Sequence, residues 1–393
     1  MADLYKTDRN RILQEFFRLT SFDAESFHER KIAEYVKEKL KALGLRVEED
    51  QAGDKLAALH PDSNGTASNI YAYLKGTKPG DPILFSSHFD TVSPGKGKKA
   101  ILLEDGTITS DGTTVLGADD ISGLVSILEA LTVIHENEVV HPDIEILITV
   151  AEEPYCEGSR FVEFERLKAK QGYVLDLDGP VGRVATAAPS ILSLKIGIEG
   201  RASHAGFAPE LGVNALSIAA DALSKIQVGR VQSDLTVNFG TIRGGSGRNI
   251  VPQNVEIEGE IRSLNHEKAL QTAQEIREVF EQAAESLGGK IAFSVNEHIR
   301  SYSVSHESEV VKRFCTVVEE RMPERRPELL TTYGGSDANR LNENGIETIV
   351  LACGMNKCHS TEEYTTIEAL EQSARLTLGL MIQEASNNIT KRG

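Results

Sequence analysis

Apolar and polar positions change rhythm several times along the chain, and those changes predict its elements. From 9 to 43 apolar residues recur at helical spacing and stop at Gly44, predicting two helices with a break at Thr20-Ser21-Phe22-Asp23. Strand-like runs follow at 69–74 and 82–87, then a Gly- and Lys-rich loop at 94–99 and a short hairpin around Glu104-Asp105-Gly106. The pattern next predicts a helix over 122–135, a buried strand over 144–150, a helix over 159–170 and a strand over 173–178. Strands alternating with helices predict an α/β domain built on a mostly parallel sheet.

The texture changes after about 183. Residues alternate in strand fashion over 191–198, 235–242 and 255–262, with a fourth strand at 290–295, and helical stretches at 213–226 and 268–287 separate them. Four strands with two helices on one face predict a compact α+β unit of ferredoxin-like type. The α/β rhythm resumes near 305 with a helix through 320, a strand at 347–351 and a closing helix at 367–385. One domain, 1–184 with 300–393, is therefore read as interrupted by another, 185–299. A length of 393 residues fits two cores better than one.

Composition narrows the function. A formal charge of -17 argues against nucleic acid, whose binding needs clustered Lys and Arg, and against anionic membrane surfaces. No apolar run approaches the roughly 20 residues of a membrane helix, and the opening MADLYKTDRN lacks the apolar stretch of a signal peptide. The expectation is a cytoplasmic protein. Its four cysteines, Cys156, Cys315, Cys353 and Cys358, show neither a disulfide framework nor zinc-finger spacing.

The chemistry concentrates in five short segments, each at or just after the end of an apolar strand, where open α/β sheets place their sites. Ser86-Ser87-His88-Phe89-Asp90 puts an imidazole where a strand emerges, with Asp90 on the same side to orient it. Leu116-Gly117-Ala118-Asp119-Asp120 places two carboxylates before a helix; both fit N-caps, and Asp119 also fits a bridge between two cations. Thr149-Val150-Ala151-Glu152-Glu153-Pro154 ends a buried strand in paired glutamates, which is costly unless they are paired or metal-bound. Tyr173 to Gly179 ends another strand in Asp176 and Asp178, and spacing alone leaves the choice between them open. Cys358-His359-Ser360-Thr361-Glu362-Glu363 supplies a second imidazole. Imidazole and carboxylate donors without thiolates suit catalytic zinc, and also manganese or cobalt.

In this order, HFDTV, LGADD, AEEP, YVLDLDG and CHSTEE resemble the dinuclear zinc peptidase family of peptidase T, carboxypeptidase G and carnosinase, nearest to its peptidase T branch. Ala202-Ser203-His204-Ala205-Gly206 and the stretch from Gly244 to Pro252 resemble the family's lid motifs, so the likeness covers nearly the whole chain. The resemblance implies a zinc-peptidase-type catalytic domain interrupted by a lid. It implies two divalent ions, one held by His88, Asp119 and Asp176 and the other by Asp119, Glu153 and His359. It selects Asp176 over Asp178, because peptidase T-like members place this ligand three residues after an aromatic that Tyr173 matches. It makes Glu152 the general base, Asp90 the residue orienting His88, and His204 a donor to the developing oxyanion.

Substrate contacts are expected from Asn249, Arg262 and Asp337, with Arg262 clamping a carboxylate and Asp337 receiving an α-amino group. The implied activity is an aminopeptidase on short peptides, tripeptides above all. An N-acyl or carbamoyl amino acid amidohydrolase, or a carboxypeptidase, on the same scaffold is the alternative. A short peptide is the expected partner, and the chain is read as a monomer or a homodimer.

Overall fold

A computed structural model describes residues 5–61, 63 and 67–382. They form two compact units: residues up to Ala187 with Ser303–Thr332 and the segment from Ser336 onward, and Ala188–Tyr302 with Tyr333–Gly335.

The first unit is organised by a mixed sheet. Its centre runs Ile144–Thr149, Ile83–His88, Gln171–Leu177, Glu347–Ala352, all neighbours parallel. Antiparallel pairing takes over outward: Ile70–Leu74 beside Ile144–Thr149 and Arg46–Glu49 beyond it on one side, Arg183–Ala188 beside Glu347–Ala352 on the other. The parallel pairing expected from the sequence makes up the centre and recurs where Glu328–Thr331 pairs parallel with Arg183–Ala188. Every residue of Ile83–His88 and of Ile144–Thr149 is buried, as continuous apolar strands in a covered sheet should be. The helix Ala118–Glu136 is buried from Ala118 to Ile134 and packs against Ile367–Ile382. Residues 383–385 of the predicted closing helix lie outside the described residues.

Two helices occupy the start of the chain, Arg9–Thr20 and Arg30–Ala42, with Asp8 capping the first by accepting from the backbone N–H of Asn10 and Arg11. The predicted helix over 159–170 is absent. Two single 3-10 turns, Ser159–Phe161 and Phe164–Arg166, stand in its place. The reason is competition for donors: Glu163 N–H goes to the Tyr71 hydroxyl at 2.8 Å, and those of Lys168 and Ala169 go to the Glu145 carboxylate at 3.0 Å each. A helix needs those donors for its own ladder.

In the second unit the strands come in the order Gly229–Gln232, Leu235–Gly244, Asn254–Ser263, Ser190–Glu199, Lys290–Ile299, all antiparallel. The helices Ala215–Leu223 and His266–Leu287 pack on this sheet around Leu194, Ile196, Ile257, Ile218, Ile276 and Phe280. Apart from Gly229–Gln232, the chain order β-α-β-β-α-β is the ferredoxin-like one. That short strand is an addition the sequence did not predict; Gly229, at φ +83°, opens it.

Candidate metal centre

The register of the central sheet brings the five segments together. His88 closes its strand directly opposite Thr149, so Glu152 and Glu153 emerge beside it. Asp176 lies one residue from the end of the neighbouring strand Gln171–Leu177. Asp119 enters from the start of Ala118–Glu136, where its own backbone is non-helical (φ -82°, ψ 104°). His359 arrives from the loop after Glu347–Ala352 in the left-handed region, φ +62°, a conformation that costs a histidine energy and is typical of functional positions.

Asp119 is the centre of the arrangement. Its Oδ1 stands 3.1 Å from His88 Nε2 and its Oδ2 3.2 Å from His359 Nε2. Asp176 Oδ1 completes one side at 3.7 Å from His88 Nε2, and Glu153 Oε2 the other at 2.9 Å from His359 Nε2. Two triads result, His88–Asp119–Asp176 and Asp119–Glu153–His359, sharing Asp119. Glu152 Oε2 lies 4.0 Å from His88 Nε2. Asp178, by contrast, is exposed.

The surroundings of His88 assign the proton on Nδ1. Its Nδ1 lies 3.0 Å from the carbonyl oxygen of Asp90, which can only accept, so Nδ1 carries the proton and Nε2 faces the carboxylates. The Asp90 side chain is farther, 3.5 Å from Nδ1, and does more for the next turn. It accepts from the backbone N–H of Glu152 at 2.9 Å and of Glu153 at 3.1 Å, and from the Ser26 hydroxyl at 2.7 Å.

The residues fit a pair of cations. Among the described residues, Asp119, Glu153 and Asp176 find their positive partners in imidazoles alone, and Glu153 Oε1 is buried with no hydrogen-bond partner. Burial resists protonation of His88, yet Asp119, Asp176 and Asp90 hold its pKa well above the ordinary imidazole value. Hydrogen bonds to Asp119 and Glu153 lift His359 to about 11. Burial, reinforced by the charges of Asp119 and Asp176 respectively, raises Glu153 and Glu152. Such packed acids, each an electron-pair donor aimed at its neighbours, are what divalent ions would relieve.

Glu29 and Cys156 support the site without a signal in the sequence, and Asp120 and Asp337 do so from positions the sequence had marked. Glu29, fully buried, accepts from the backbone N–H of Ala151 at 3.0 Å. Cys156 donates its S–H to Glu152 Oε1 at 3.2 Å. Asp120 accepts from Gly123 N–H at 3.2 Å, an N-cap bond, and contacts His88 N–H at 3.4 Å. Asp337 is 2% exposed and shares a cluster with Glu152 and Cys156; its Oδ2 accepts from the Thr149 hydroxyl, and its Oδ1 is buried without a hydrogen-bond partner among the described residues.

The second unit carries the other three expected residues. His204 Nδ1 accepts from Gly206 and Phe207 N–H at 3.2 and 3.1 Å, which leaves the proton on Nε2. Asn249 lends its carbonyl to Ala205 N–H at 3.0 Å and is exposed. Arg262 already engages Glu260 through Nε and Nη2 and the Tyr333 carbonyl through Nη1, so a substrate carboxylate would have to displace Glu260.

The chain is similar to proteins of known family and known structure. Residues 186–287 match the family model described as a peptidase dimerisation domain. The structure of aminopeptidase PepT from Bacillus cereus is 38% identical, covering 95% of this chain and 98% of that one, with a TM-score of 0.87. A tripeptidase from Staphylococcus aureus is 35% identical over 95% of this chain and 98% of its own, with a TM-score of 0.90. The Bacillus subtilis protein YqjE, described as uncharacterized, is 37% identical over 96% of this chain and 99% of its own length. YXEP from Bacillus subtilis, described as a dinuclear metal binding peptidase from the M20 family, shares the fold at 16% identity, with a TM-score of 0.70 over 95% of this chain and 97% of that one. The chain belongs to the M20 peptidase family, among its peptidase T-like members.

Proposed function

We propose that this protein is a metal-dependent aminopeptidase that removes the N-terminal residue of tripeptides, with His88, Asp119 and Asp176 holding one divalent ion and Asp119, Glu153 and His359 a second. One observation carries the reading: the two oxygens of a single carboxylate, Asp119, address two imidazoles from opposite ends of the chain, 3.1 and 3.2 Å away. That is the disposition of a bridging ligand. The donor set of imidazole nitrogen and carboxylate oxygen favours zinc, with manganese and cobalt as chemically similar occupants.

Bound there, the ions would supply Lewis acidity, lowering the pKa of water and polarising the scissile carbonyl. Glu152 takes the proton from the attacking water and passes it to the leaving amine. Asp90 keeps the Glu152-Glu153 turn in place through two backbone N–H bonds. His204, with its proton on Nε2, offers a donor to the oxyanion. Asn249 offers a side-chain amide to the peptide backbone, and Arg262 a guanidinium that would exchange Glu260 for the substrate carboxylate. The dimerisation-domain match supports a homodimer.

The test is a substrate panel on protein stripped with chelator and reloaded with zinc, manganese or cobalt. Release of the free N-terminal residue from tripeptides, abolished by chelation and restored by metal, is the expected result. Turnover confined to N-acylated or N-carbamoylated amino acids would replace this reading with the amidohydrolase one.

A further inference from the structure

We infer that Glu363 is a positioning residue that sets the shared carboxylate of the site, an inference resting on the ion-binding reading above. One short segment carries both His359 and Glu363, and their side chains part company. The His359 imidazole meets Asp119 and Glu153 at the site. Glu363, 1% exposed, turns inward, where Gly117 N–H donates to Oε2 at 2.6 Å and Asp119 N–H to Oε1 at 2.9 Å.

Those two donors stand at the entry of the helix Ala118–Glu136, where a helix leaves its first N–H groups without internal partners. Glu363 satisfies them from across the chain. Gly117 is wedged from its other side as well. Its φ is +79°, and a Cβ there would lie 3.0 Å from Thr91 Cγ2 and 3.2 Å from Lys98 Cε. The brace itself is anchored, since Glu363 immediately precedes the strand Tyr364–Thr366, which pairs antiparallel with Thr107–Thr109.

Burying one carboxylate beside another is costly, so its use here calls for something a neutral side chain lacks. A carboxylate is the side chain that can accept both N–H groups in a fork, fixing the direction as well as the distance of the Asp119 backbone. The reach of the effect follows from what Asp119 does. Asp90 supports His88 and the Glu152-Glu153 turn, whereas Glu363 supports the one residue common to both triads. Loosening it should weaken both ion positions together.

The test is Glu363→Gln, which keeps the shape but presents an NH2 group to one of the two donors. Full-length protein is stripped with chelator and titrated with cobalt, whose visible absorption reports ligand geometry. We expect the affinity of both ions to fall together by about 10- to 100-fold, the scale seen when partners that orient ligands are changed, with an altered cobalt spectrum. Glu363→Asp, which keeps both acceptors at shorter reach, should give a smaller loss of the same kind, and it decides the matter if the Gln variant does not fold. Wild-type cobalt affinity and spectrum in both variants would overturn the inference, as would a loss confined to one ion. A wild-type protein that itself binds no cobalt would sink the ion-binding reading and this inference with it. Two ions bound alike by wild type and variants would sink this inference alone.

Discussion

The two halves of the site share a carboxylate but live in different surroundings. The His88 side chain is 1% exposed, its Nδ1 is held by a backbone carbonyl, and its strand is buried throughout. The His359 side chain is 57% exposed, on a loop, with its backbone in the left-handed region. The first half is built into the sheet, so its donors are in place before any ion arrives. The second is assembled by a loop, and Asp119 lends it rigidity. A dinuclear site held by the proposed ligands would therefore not be two equal sites; the sheet would supply one and a loop would complete the other.

The largest expected effect tests whether Glu152, which leans toward the enclosed half, acts on protons rather than on ions. Glu152→Gln preserves shape and removes the proton acceptor. Turnover number should fall by about 10²- to 10⁴-fold, the usual worth of a general base, while metal analysis still finds two ions per chain. Loss of one ion in this variant would make Glu152 a ligand and enlarge the enclosed half by one donor.

The contrast between the histidines comes next. His359→Ala should leave one ion bound after dialysis and lose the other. His88→Ala should lose both, because it removes the enclosed ligand, leaves Asp176 buried without its imidazole partner and leaves Asp119 with His359 alone. In the wild-type protein, timed exposure to chelator followed by metal analysis should show the ions leaving in two phases. A single phase, with each variant keeping one ion, would erase the distinction.

The sequence reveals these residues unevenly, for a physical reason. His88, Glu152 and Glu153 stood out as candidates because each sits at or just past the end of an apolar strand, where a polar side chain in a covered sheet becomes noticeable; Asp176 shared that position with Asp178, and only the family resemblance chose between them. The insert was legible because its strands alternate cleanly around one core. The 159–170 segment was not, because side chains of Tyr71 and Glu145, distant in sequence, capture the donors a helix would use. Glu29 and Glu363 were silent for the same reason. Each bonds backbone N–H groups 122 or more residues away, and a backbone donor leaves no mark in the residue type that carries it.

The smallest effect concerns the chelated protein, in which protons must do what the ions would do. Burial, followed by the charge of Asp119, lifts Glu153 to about 8; burial, with Asp119 again adding to it, lifts Asp176 to about 7; hydrogen bonds to Asp119 and Glu153 lift His359 to about 11. All three bind protons more tightly folded than unfolded, where they titrate near 4.5, 3.8 and 6.5. Their stabilisation is therefore complete below the unfolded values and is lost as pH rises through the folded ones, the carboxyl share by about pH 8 and the imidazole share toward about 11. Asp119 is held the other way, below the ordinary carboxylate range, and so weakens the fold only in strong acid. Melting the chelated protein at pH 5 and at pH 8 should show the midpoint falling by a few degrees, and Glu153→Gln should shrink that fall. With ions restored the gain in melting temperature should grow with pH, because binding displaces the same protons. A chelated protein whose midpoint stayed level or rose between those two pH values would mean that the acids of the two halves are not packed closely enough to share protons, and the contrast between an enclosed half and a loop-built one would lose its electrostatic basis.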